Sequence, residues 1–77
     1  MTYQELDCVI LARDLPEHRL RTGDLGTVVH VHSQDAFEVE FVRASGETQA
    51  LVTVQTADLR PIQARDLLAV RAASPSP

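Results

Sequence analysis

Apolar and polar positions sort this chain into short runs of strand length, separated by turn chemistry. CVILA (residues 8–12) is a continuous apolar run and predicts a first strand. GTVVHVH (26–32) is rich in β-branched residues and predicts a second. FEVEFV (37–42) alternates, with Phe37, Val39 and Phe41 on one face and Glu38 and Glu40 on the other. That is the pattern of a half-buried antiparallel strand. After the RASGET turn, QALVTV (49–54) predicts a fourth strand, so 37–54 reads as a hairpin.

Between the first two strands, residues 13–24 are mostly polar and read as a long irregular loop. Pro16 biases Leu15 away from the α region and removes a ladder donor. Leu15 and Leu20 are expected to fold inward as anchors, and Gly23 to take a positive φ where the loop ends. Past the fourth strand, Thr56 is expected to cap a single helical turn. LRPI (59–62) then predicts a short edge strand, where Pro61 is tolerated. ARDLLAVRAA (64–73) has helical spacing of Leu67, Leu68 and Val70, which predicts a short C-terminal helix, and SPSP (74–77) reads as a disordered tail. The fold class expected is all-β: a small SH3-like barrel of about five antiparallel strands. Residues 1–62 form that domain, and 63–77 a C-terminal extension.

Composition narrows the function more than the fold. At 77 residues the chain is one small domain near the lower limit of independent stability, so a homodimer is among the expected partners. Eleven acidic residues face seven arginines with no lysine, a net charge of −4. A basic excess drives phosphate binding, so this balance disfavours nucleic acid. No run approaches the ~18 apolar residues needed to span a membrane, and MTYQELD lacks the regions of a signal peptide. A cytoplasmic protein with no membrane partner is expected. Cys8 stands alone, which excludes an internal disulfide and a Cys-rich zinc site. It is expected as a small buried residue of the first strand.

The candidate chemistry is sparse. His30 and His32, two apart on a strand, leave one face and offer two imidazoles to a metal. Either would otherwise pair with a carboxylate on the next strand, Glu38 or Glu40. A third ligand, His18 or Glu38, would have to arrive through folding, so no metal and no cofactor are assigned. In the loop, Glu17 and His18 have acid–base chemistry, and Arg19 and Arg21 are anion-binding types. Without a nucleophile motif or phosphate cradle they do not make an enzyme. Glu38 and Glu40, with Asp35 and Glu47 at the adjoining turns, form an acidic face that complements a basic protein surface. The expected contact residues are therefore His18, Arg19, Arg21, Glu38 and Glu40. Residues 67–70 offer a second apolar contact, or a cap on the open end of the barrel.

Together, RDLPEH, GDLGTVV, VEF and LRP give residues 6–62 a resemblance to a bacterial family of short proteins of unknown function. The resemblance implies a partner protein and an accessory, antitoxin- or immunity-like role. GDLGTVVHV also resembles the KOW motif of ribosomal and transcription proteins. That likeness supplies the alternative function, a nucleic-acid binder using Arg19, Arg21 and Arg43. KOW loops that bind RNA are rich in lysine and arginine, whereas this chain places Asp24, Asp35, Glu38 and Glu40 nearby. The sequence therefore favours a non-enzymatic protein-interaction module.

Overall fold

The computed structural model describes residues 2–75. Five strands form: β1 (Cys8–Leu11), β2 (Leu25–Ser33), β3 (Ala36–Val42), β4 (Thr48–Gln55) and β5 (Leu59–Pro61). They build one antiparallel sheet in the order β4-β3-β2-β1-β5. The first four strands make a meander, and β5 returns to pair with β1. The sheet is all-β as expected but does not close into a hydrogen-bonded ring, because β4 and β5 remain as its two edges.

Alternation in β3 works as the sequence implies. Phe37, Val39 and Phe41 are buried, while Glu38 and Glu40 are half-buried on the other face. Phe37 packs edge-on to Tyr3 with ring centroids 5.5 Å apart, a favoured aromatic geometry. Val9, Leu11 and Val28 complete the fully buried set, and Ala50, Val52 and Val54 of β4 with Leu59 of β5 extend the core to both edge strands. Leu15 and Leu20 fold inward from the 13–24 loop and bridge to each other, holding the turn of Pro16–His18 between them. Gly23 takes φ +96° where that loop ends.

Two irregularities in β2 decide which faces its side chains occupy. Opposite consecutive Val39 and Glu38, β2 places Val28 and His30, so Val29 is an extra residue. A second shift falls between Val31 and Ser33. Strict alternation from the buried Val28 would drive His30 into the core. The bulge at Val29 resets the phase, so Val31 packs against the core and His30 and His32 stay exposed.

Three expectations fail for local reasons. Cys8 is exposed rather than buried, because it has the opposite parity to Val9 and Leu11, which face the core. The turn Thr56–Asp58 does form, but Gln55 is its cap: the Gln55 and Asp58 side chains reciprocally accept each other's backbone N–H groups. Finally, residues 64–73 form no helix. A helix this short is marginal without a docked face, and the polar groups here bond elsewhere. Asp66 accepts the backbone N–H of Gln63 (2.7 Å) and grips Arg60, while Arg71 is drawn to Asp24. Of the SPSP tail, Ser74 and Pro75 lack regular structure; Ser76 and Pro77 lie outside the described residues. Among the described residues, no helix is long and apolar enough to cross a membrane.

Candidate functional site

The segment after β5, residues 62–75, runs across the molecule as an extended strap rather than projecting from it. Its first tether is Arg60, which holds Asp66 through two bonds of 2.9 and 3.1 Å. The second joins Arg71 to Asp24, the residue immediately before β2. Arg71 Nε donates to Asp24 Oδ1 at 2.8 Å and Nη2 to Oδ2 at 2.5 Å, a two-pronged guanidinium–carboxylate pair. The same Nη2 also donates to the carbonyl of Arg19 at 3.3 Å.

Asp24 is prepared for this pairing by the loop. Its Oδ2 accepts the backbone N–H of Arg21 at 2.8 Å, and its own carbonyl accepts the N–H of Leu11 at 2.9 Å. Burial works against ionisation of its carboxyl. The Arg71 guanidinium, the Arg21 N–H and the two arginine charges outweigh burial and hold its pKa below the ordinary value. Arg19, the residue whose carbonyl helps to receive Arg71, has left-handed backbone (φ 60°, ψ 33°). That conformation is unfavourable for a side chain with a Cβ and persists only where the surroundings fix it.

Gln49 supplies the third tether. A shift in the β3–β4 register pairs Phe41 with Ala50 and Val42 with Thr48, leaving Gln49 as an extra residue. The bulge turns both Gln49 and Ala50 inward. A buried amide needs partners at both ends, and Gln49 has them. Its oxygen accepts from Arg43 Nε at 2.7 Å, and its nitrogen donates to the Ser74 carbonyl at 2.7 Å.

Between strap and sheet lies a cleft of about 400 Å³ whose walls include Leu25, Phe41, Val42, Gln49 and Val70. On the other side of the strap, Ile10 is buried on the outer face of β1 beside Leu67 and Leu68. Yet the strap turns most of its own apolar surface to solvent: Leu67 is 93% exposed, Leu68 75% and Val70 98%.

The residues singled out from sequence divide between two networks. His18 is half-buried in the loop turn, and the Arg19 and Arg21 side chains are exposed, while the Arg21 N–H donates to Asp24 and the Arg19 carbonyl accepts from Arg71. On the β2–β3 hairpin, Glu38 Oε1 lies 3.0 Å from His32 Nε2, and Glu40 accepts the Thr48 hydroxyl at 2.6 Å. His30 stacks edge-on to His32 with centroids 4.6 Å apart. Among the described residues, no group of three His, Cys, Asp or Glu side chains is placed to hold a metal. Sequence reasoning missed Asp24, Gln49 and Arg71 as a unit. Asp24 and Arg71 are 47 positions apart and Gln49 and Ser74 are 25 apart, so no local pattern announces either pair.

Comparison with known protein families matches residues 5–61 to the model described as Domain of unknown function (DUF4926). The matched segment ends at the last residue of β5 and leaves the strap outside it. No curated protein and no solved structure matches the chain.

Proposed function

The chain belongs to the family described as Domain of unknown function (DUF4926), and from that premise we propose that it is a non-enzymatic protein-interaction module. The observation that carries this reading is the strap: Leu67, Leu68 and Val70 are 75–98% exposed on a segment pinned by two arginine–aspartate pairs. Holding large apolar side chains in water is unfavourable in isolation and becomes favourable once a partner covers them. The net charge of −4 and the half-buried Glu38 and Glu40 support a partner with a basic surface. Such a partner suits the accessory, immunity-like role that the sequence resemblance implies. The strand order β4-β3-β2-β1-β5 supports an SH3-like description of the scaffold.

The nucleic-acid alternative draws less support. Of the three arginines it would use, Arg43 already donates to Gln49, and the exposed Arg19 and Arg21 stand against a net charge of −4.

Affinity capture from the native host with the full chain tests the proposal. We expect a protein partner that is lost with L67S/L68S/V70S, three exposed positions whose change leaves the core intact. The E38K/E40K variant should weaken capture. A partner retained equally by both variants, or salt-sensitive retention on RNA or DNA in place of protein capture, would overturn this reading.

A further inference from the structure

The strap is bound as a ligand would be bound, and its contacts define what the surface beneath it selects. Asp24 presents both carboxylate oxygens to one guanidinium, and the Arg19 carbonyl takes a further N–H from it. A lysine ammonium is a point charge and cannot reproduce that fork. Three residues further along the strap, Gln49 reads a main-chain carbonyl, that of Ser74, and no side chain. Val42 and Leu25, both about half-exposed, wall the cleft between these two polar anchors. A fixed guanidinium subsite, an apolar wall and a backbone-reading amide together describe a receptor for an extended, arginine-bearing peptide.

The occupant now in place is weakly committed. It has no helix or strand of its own, its large apolar side chains point to solvent, and its hold rests on a few polar tethers. We propose that residues 66–75 are a built-in pseudo-ligand, and that the Asp24–Gln49 groove takes an arginine-bearing extended segment of a basic partner protein in exchange for the strap. The proposal rests on the interaction-module reading and names the chemistry of its partner. Leu67, Leu68 and Val70 are already exposed on the docked strap, so the exchange uncovers the Asp24–Gln49 groove and leaves the strap, with its apolar side chains, able to follow the partner. While tethered in cis, the strap competes at a high effective concentration, so the resting groove is closed to weak ligands.

The test uses the full chain and a labelled synthetic peptide spanning residues 66–75, DLLAVRAASP. Binding is followed by anisotropy and by amide chemical shifts of Leu20, Asp24 and Gln49. Arg71→Ala in the full chain loosens the internal competitor, and its peptide affinity should rise about tenfold over the unaltered chain, the weight of one charge-assisted pair. Adding Asp24→Asn to that variant should abolish binding, and a peptide with lysine at the arginine position should bind more weakly to R71A. Amide spectra report whether R71A remains folded, and Arg71→Lys serves in its place if it does not. Equal binding to the unaltered and R71A chains, no binding to R71A at millimolar peptide, or binding indifferent to Asp24 would each overturn the exchange. A partner captured from the host but insensitive to R71A refutes the exchange and leaves the interaction module standing. Peptide exchange with no host partner has the converse meaning.

Discussion

Gly26 shows how a single residue carries the packing of β2 against β3. A Cβ at this position would lie 2.6 Å from Val39 Cγ1 and 2.8 Å from Phe41 Cε1, both on core side chains with no room to retreat. Gly26→Ala should therefore destabilise the fold by about 1–3 kcal/mol, the usual cost of overpacking, read as a lower urea midpoint. Cys8 gives the opposite case: its exposure predicts that the native protein reacts with an aromatic disulfide reagent without unfolding. Among the carboxyls, Asp14, Asp24, Asp58 and Asp66 all have pKa values lowered by folding. Asp14 is held down by the N–H and hydroxyl of Thr22, and Asp66 by Arg60. A depressed folded pKa adds stability that is complete above the unfolded value, 3.8 for these groups, and lost as pH falls through the folded value. The urea midpoint should thus hold steady from neutrality to about pH 4, as far as these four govern it, and fall steeply below.

At the scale of elements, the bulges matter more than the strands they interrupt. The extra residue Val29 separates an inward Val28 from an outward His30. Deleting Val29 would leave Val28, His30 and Val31 in simple alternation with their present faces unchanged. The deletion should preserve the fold, whereas deleting Glu38 from the regular β3 would throw Phe37 out of phase with the core. Two-dimensional amide spectra of the two variants decide this directly: dispersed for the first, collapsed for the second. The bulge at Gln49 acts differently, because it turns a polar side chain inward to meet Arg43 and the strap. Gln49→Ala should leave the sheet intact and speed amide exchange through residues 72–74, since their anchor is removed.

Across the whole molecule, an open five-stranded sheet and a tethered strap share the work. The sheet supplies a rigid frame whose core draws on all five strands, on Leu15 and Leu20 of the loop and on Tyr3. The strap runs from β5 past Asp24, at the start of β2, to Gln49 on β4 with few apolar contacts of its own, the description of a region low in local stability. Hydrogen exchange should therefore show fast exchange in residues 66–74 against slow exchange in β2 and β3, and Asp24→Asn should widen that difference. A strap exchanging as slowly as the strands would count against its displacement by any partner.

The sequence by itself determined the strands. Alternation in FEVEFV, β-branching in GTVVHVH and the prolines and glycines between them are local signals, because strand and turn preferences act over a few residues. The expected 26–32, 37–42 and 49–54 differ from β2, β3 and β4 by one residue at most at each end. The inward anchoring of Leu15 and Leu20 was legible for the same reason. Helical spacing in 64–73 misled because three apolar side chains with no surface to dock on do not hold a helix. Only the tertiary structure decided the bulges at Val29 and Gln49, the exposure of Cys8 and the seat of Arg71 on Asp24. Each depends on which residue of one strand or segment lies opposite which residue of another. That pairing is set by the closing of the core, and no window along the chain contains both partners.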